Sequence, residues 1–174
     1  NRVTWASLFR GVGPELFEEK VRGMFLKIAE EWGVPLDVIN DGEVTALAGS
    51  MAMGKNGVLG IAMGTSQGGG YIDMEGNITT WLSELAFAPV DLHPEAPADE
   101  WSGDLGCGAQ YFSQQAVGRL LPASGIEYDE TLKLPEQLKI VQALMEQGDE
   151  RALKIYDAIG IYLGYSLAHY AEFY

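Results

Sequence analysis

The stretch that decides the fold is Gly57-Val58-Leu59-Gly60-Ile61-Ala62-Met63, then Gly64-Thr65-Ser66-Gln67-Gly68-Gly69-Gly70, then Tyr71-Ile72-Asp73-Met74. The first part is short and apolar, and the third ends at a turn signal, Glu75-Gly76-Asn77. Two β-like runs joined by a Gly-rich reversal predict a hairpin. Three consecutive glycines allow positive φ and let backbone N–H groups approach a ligand closely. Thr65 and Ser66 add hydroxyls, so the turn has the chemistry to cradle a phosphate; an ordinary tight turn uses the same residues.

Upstream, Val34-Pro35-Leu36-Asp37-Val38-Ile39 reads as a buried strand ending at Asn40-Asp41, and a helix follows from Glu43 to Met53, closed by Gly54. Before the strand, Pro14 with Glu15, Glu18 and Glu19 opens an amphipathic helix whose apolar residues run to Trp32, and Gly33 ends it. Downstream, Ile78-Thr79-Thr80-Trp81 is a candidate third strand, and Glu84–Val90 reads as extended, with Pro89 marking an edge. Residues 91–103 carry two prolines and four acids and read as a surface loop. Helices are then expected over Gly108–Leu121, stopped by Pro122, from Pro135 to Gly148, and from Glu150 onward under an Asp149 cap. The sum is an α/β chain, a meander of strands followed by helices.

Composition narrows the partners. The 174 residues are 47% hydrophobic and 21% charged, ordinary for a globular domain. A net charge of −14 opposes nucleic acid and anionic membrane surfaces, and leaves a phosphate ligand to backbone N–H groups, a metal ion or local lysines. One cysteine excludes an internal disulfide and fits a reducing cytoplasm. No apolar run reaches membrane-spanning length and no signal peptide is visible.

The order of parts, Asn40-Asp41 at a strand end, one helix, then Gly64-Thr65-Ser66-Gln67-Gly68-Gly69-Gly70, resembles the ROK family of glucokinase-like sugar kinases. That resemblance implies a partial ribonuclease H-like (actin-like ATPase) fold and ATP-dependent phosphorylation of a hexose or amino sugar. It divides the chain at 42/43, with residues 1–42 ending an N-terminal lobe and 43–174 forming a C-terminal lobe. It makes Asp41 the catalytic base, although Asn40 and Asp41 could equally cap the following helix. It makes Asn40, Glu84 and Gln114 sugar-binding, and Gly64, Thr65, Ser66, Gly68, Gly69 and Gly70 the phosphate lining, with ATP and Mg²⁺ as cofactors.

The family's zinc ligands are largely missing. Its His falls on Phe87, and its cysteine cluster on Leu105-Gly106-Cys107-Gly108-Ala109-Gln110-Tyr111-Phe112-Ser113-Gln114, where one Cys of three remains. Gln114 stands in for a Glu, which leaves the identity of the sugar open. A structural zinc needs four ligands, so none is expected, and Cys107 reads as a packed residue. His93 is expected to be solvated and His169 to pack locally; Trp81 and Trp101 are expected to pack in the core, with stacking on a sugar the lesser role.

The chain opens at Asn1 without Met and stops at Tyr174 inside an apolar run, as expected of a segment of a longer kinase. The family's Asp-Gly-Gly-Thr-type phosphate loop and its adenosine-binding Gly-Gly segment are absent from these residues. The expected partner is a sugar, with no nucleic acid and no membrane; a homodimer is left open. The competing expectations are a non-catalytic sugar-sensing or scaffold domain on the same fold, and a kinase of a non-sugar acceptor.

Overall fold

The computed structural model describes residues 2–4, 9, 11–79, 81 and 83–174. The chain divides into two compact units, Asn1–Asn40 and Asp41–Tyr174.

In the first unit the expected single helix is broken. Helix α1 spans Pro14–Leu16, a π-turn Phe17–Val21 follows, and α2 spans Met24–Trp32. Gly23, with φ −105°, separates them. Arg22 donates to both carboxylate oxygens of Glu18 at 2.7 Å across the π-turn. Gly33 closes α2 as expected, in the left-handed region with its N–H on the Ala29 carbonyl. The strand expected over Val34–Ile39 does not form. Residues 35–40 have no regular structure, and Val34, Val38 and Ile39 are exposed. Among the described residues the sheet has two strands, and this apolar run is in neither.

The second unit begins with α3, Asp41–Met53, lying on an antiparallel hairpin of β1, Val58–Met63, and β2, Gln67–Ile72. The reversal is Gly64-Thr65-Ser66 alone, with the Gly64 N–H donating to the Ser66 carbonyl at 2.9 Å. Gly68, Gly69 and Gly70 lie inside β2, opposite Ala62, Ile61 and Gly60, and none has a positive φ. The expectation that they form a flexible turn is therefore corrected. Their lack of a side chain serves close packing. A Cβ on Gly60 would stand 2.5 Å from the Ala46 Cα, and one on Gly70 would run into Glu43 and the Gly42 carbonyl. Helix α3 answers with its own small face: Gly42, Ala46 and Ser50, one turn apart, are its buried residues.

Beyond the hairpin the expected third strand reduces to one bridge, Ile72 with Ile78; Thr80 of that run lies outside the described residues. Glu84–Val90 is not extended throughout, since Leu85–Phe87 forms a 3₁₀ turn. The expected helix over Gly108–Leu121 is split into α4, Gly108–Tyr111, and α5, Gln114–Leu120, because Ser113 turns extended and caps α5 by accepting from the Gln115 N–H at 3.0 Å. Helices α6, Leu134–Glu146, and α7, Glu150–Tyr170, complete the unit, the latter capped by Asp149 as expected. Their core is Val117, Leu121, Ile126, Val141, Ala152 and Ile155. No helix of the described residues is long and apolar enough to cross a membrane.

Candidate functional site

Close packing of α3 on the hairpin fixes where Asp41 sits. It is the first residue of α3 and exposed, with its Oδ1 accepting from the Gly42 N–H at 2.9 Å and its carbonyl accepting from the Thr45 hydroxyl. The carboxylate stands over β2: a Cβ on Gly68 would lie 3.8 Å from Asp41 Oδ1. One side chain thus bonds the first N–H of its own helix and faces β2. Asn40 is exposed and closes the first unit.

The other candidates gather around the same hairpin. Gly64, Thr65 and Ser66 are exposed at its tip, and the Gly64 carbonyl accepts the backbone N–H of Gln114 at 2.9 Å. The start of α5 is therefore bound to the reversal, which brings Gln114 to it. Glu84 is exposed and immediately precedes the 3₁₀ turn whose Leu85 covers Gly69; a Cβ there would meet Leu85 Cδ1 at 2.7 Å and the Ser83 carbonyl at 3.1 Å. Gly69 and Gly70 are buried, so the hairpin residues left facing outward for a phosphate are Gly64, Thr65 and Ser66, with Gly68 half-buried.

Gln67 was not singled out in the sequence. Its side chain is buried beside the buried Tyr170 hydroxyl, and none of their side-chain polar atoms is in hydrogen-bond geometry. A glutamine within a glycine run gives no signal of burial, because the position alternates with Gly68 only once the strand is known to begin there.

The zinc positions are filled by packing. Cys107 is buried against Ala86 and Ala109, which raises its thiol pKa by desolvation, and it is the small packed residue expected. Phe112 has no exposed surface, Leu105 is exposed, and Phe87 lies against Trp101 with ring centroids 5.4 Å apart. Among the described residues no three His, Cys, Asp or Glu side chains gather to hold a metal. These residues do not fit a zinc site. Neither Trp81 nor Trp101 is a core residue, contrary to expectation: each is about half exposed, Trp81 stacked 6.0 Å from Tyr71. His93 is exposed in the acidic loop, and His169 meets the Phe173 ring edge-on, as expected.

A separate cavity of about 90 Å³ is lined by Tyr111, Ala116, Arg119 and Tyr162. It is well below the ~300 Å³ of an ordinary ligand site, so it does not compete with the hairpin.

A glucokinase from Halalkalibacterium halodurans is 31% identical over 160 residues, covering 84% of this chain. The chain is similar to that glucokinase in sequence and to ROK-family proteins in fold. The solved structure of a ROK hexokinase from Thermus thermophilus superposes with a TM-score of 0.66 at 23% identity over 86% of the chain. A ROK family transcriptional regulator, a homologue of the E. coli MLC protein, gives 0.67 at 20% identity over the same share. Those two establish the fold, the actin-like ATPase α/β architecture in partial form. The chain spans about half the length of its relatives: 48% of the glucokinase, 49% of the hexokinase and 39% of the regulator. No family model matches.

Proposed function

We propose that these residues form the sugar-binding and proton-accepting part of an ATP-dependent kinase of a hexose or amino sugar. The observation that carries this is the exposed Asp41 carboxylate held over Gly68, on the hairpin whose tip is the exposed Gly64-Thr65-Ser66 turn. A sugar hydroxyl that attacks phosphorus must lose its proton, and the Asp41 carboxylate would accept it. Asn40, the preceding residue, and Glu84 would hold neighbouring hydroxyls, with Gln114 offering a neutral amide where a carboxylate would only accept. Thr65 and Ser66 hydroxyls and the turn backbone offer the donors a phosphate needs on a chain of net charge −14. ATP supplies the phosphoryl group when bound. With no gathered acidic cluster among the described residues, Mg²⁺ would be held mainly by phosphate oxygens and water.

The test is sugar-dependent ATP consumption by the protein that carries these residues, with glucose and N-acetylglucosamine as substrates. Asp41→Asn should lower kcat by about 10²–10⁴-fold with the sugar KM little changed. Near-normal turnover in that variant would refute the base assignment. A second reading, a non-catalytic sugar sensor, draws on Gln114 in place of a carboxylate and on the likeness to a regulator. Sugar binding by a protein that never consumes ATP would establish it.

A further inference from the structure

Residues 88–106 make an irregular loop between the 3₁₀ turn and α4, and a loop this long inside a compact unit needs cross-links. Its base is closed by backbone. Pro89 bridges Cys107, the Val90 and Asp91 N–H groups both donate to the Gly106 carbonyl at 2.8 and 3.0 Å, and the Gly108 N–H donates to Ala88 at 2.9 Å. Gly106 is required here: its φ is +63°, and a Cβ would strike the Asp91 carbonyl. Two side-chain contacts then tie the loop to its flanks. Trp101 near its tip packs on Phe87 of the 3₁₀ turn at 5.4 Å. Asp91 accepts the Tyr111 hydroxyl of α4 at 2.6 Å, while Arg119 of α5 lies over the Tyr111 ring at 4.7 Å and donates to the Gln110 carbonyl at 3.0 Å.

The two flanks so joined carry Glu84 and Gln114. Glu84 directly precedes the 3₁₀ turn, and Gln114 begins α5. We propose that Phe87–Trp101 and Tyr111–Asp91 form a metal-independent staple on this loop, and that the staple positions Glu84 and Gln114 toward the sugar. Of these four residues Phe87 stands where the family resemblance implies a zinc ligand and Tyr111 adjoins another, Phe112, and the residues present do not fit the metal: Phe87 and Phe112 cannot ligate, and Cys107 is packed between alanines. Both contacts suit the task. An aromatic pair is stiff and has few rotamers to freeze, and a hydroxyl donating to a carboxylate is among the stronger neutral-to-charged bonds. The Tyr111 hydroxyl is pushed well above the ordinary tyrosine range, first by burial and then by Asp91, and Asp91 is lowered, first by the Tyr111 hydrogen bond. The pair therefore keeps its charge state through neutral pH. A site held from a supporting layer of this kind loses precision before it loses fold.

The positioning role rests on the sugar-kinase reading; the staple does not. The 174-residue chain is to be dialysed against chelator and tested for thermal unfolding and, by calorimetry, for glucose and N-acetylglucosamine binding. Chelation should change neither. Trp101→Ala and Tyr111→Phe should each raise the sugar Kd about three- to tenfold at a temperature where both remain folded, and Trp101→Phe should restore it. Trp101 is half exposed, so its replacement leaves the folded unit intact. Tightly held zinc at one per chain, or loss of stability on chelation, overturns the metal-independent staple. Unchanged sugar Kd in both variants alongside normal binding by the parent overturns the positioning role. Absence of sugar binding in the parent refutes the functional reading instead, and amide exchange of residues 88–106 then judges the staple: faster exchange in Trp101→Ala supports it, unchanged exchange overturns it.

Discussion

At the scale of single residues, neighbouring glycines do different work. Gly60 and Gly70 face α3 at backbone distance, whereas a Cβ on Gly68 would meet only ordinary contacts, 3.8 Å from Asp41 Oδ1 and 3.9 Å from Ala62 Cβ. Gly60→Ala and Gly70→Ala should therefore each destabilise by about 1–3 kcal/mol, since the opposing atoms are backbone and cannot swing aside. Gly68→Ala should stay within about 0.5 kcal/mol. Denaturant unfolding of the three variants measures this, and a costly Gly68→Ala or a neutral Gly70→Ala would refute the packing account. The sequence shows why this was hidden. Glycine serves both positive φ and close approach, and Gly64-Thr65-Ser66-Gln67-Gly68-Gly69-Gly70 does not say which. The deciding fact is the small face of α3 opposite, Gly42 and Ala46, which lies many residues away. Asp41 was named through the resemblance and as the end of a strand that does not form, while Gln67 and the staple contacts were not legible, because their roles depend on contacts across the chain.

At the scale of elements, what local chemistry encodes appeared where expected. The Gly33 and Gly54 helix ends, the Pro135 helix start and the Asp149 cap all follow from side-chain chemistry within a few residues. What needs a distant partner did not: the apolar run Val34–Ile39 has strand composition and forms no strand among the described residues. The Asp149 cap also gives a pH signature. Its carboxyl is lowered to about 2, first by the Arg151 side chain and then by the Arg151 N–H, from an ordinary value of 3.8. A depressed folded value means the contribution is complete above the ordinary value and fades as pH falls through about 2. The pair is partly exposed and screened, so the effect is small. Asp149→Asn, which keeps a capping oxygen, should lower the unfolding midpoint by about 1–3 °C at neutral pH and low salt. That difference should shrink between pH 4 and pH 2. A difference that is constant across that range would refute the ion-pair origin.

At the scale of the whole molecule, length and charge decide what these residues can do unaided. The chain spans about half of its kinase relatives, yet it holds Asn40, Asp41, Glu84 and Gln114 together with the hairpin. Sugar hydroxyls are recognised by a few short hydrogen bonds, which the proposed reading assigns to these residues. Phosphoryl transfer depends instead on positioning and on charge stabilisation around the whole triphosphate, and a partial cradle forfeits most of that. With 25 acidic against 11 basic residues, the chain also repels a polyanion at long range. The 174 residues by themselves should therefore bind glucose or N-acetylglucosamine weakly, bind MgATP more weakly still, and show no sugar-dependent ATP consumption. Calorimetry with each ligand separately, together with a coupled assay for ADP, tests this. Tight MgATP binding without sugar binding would reverse the assignment and make the chain a nucleotide-binding module, whereas turnover by these residues alone would show that the hairpin and the residues around it suffice for catalysis.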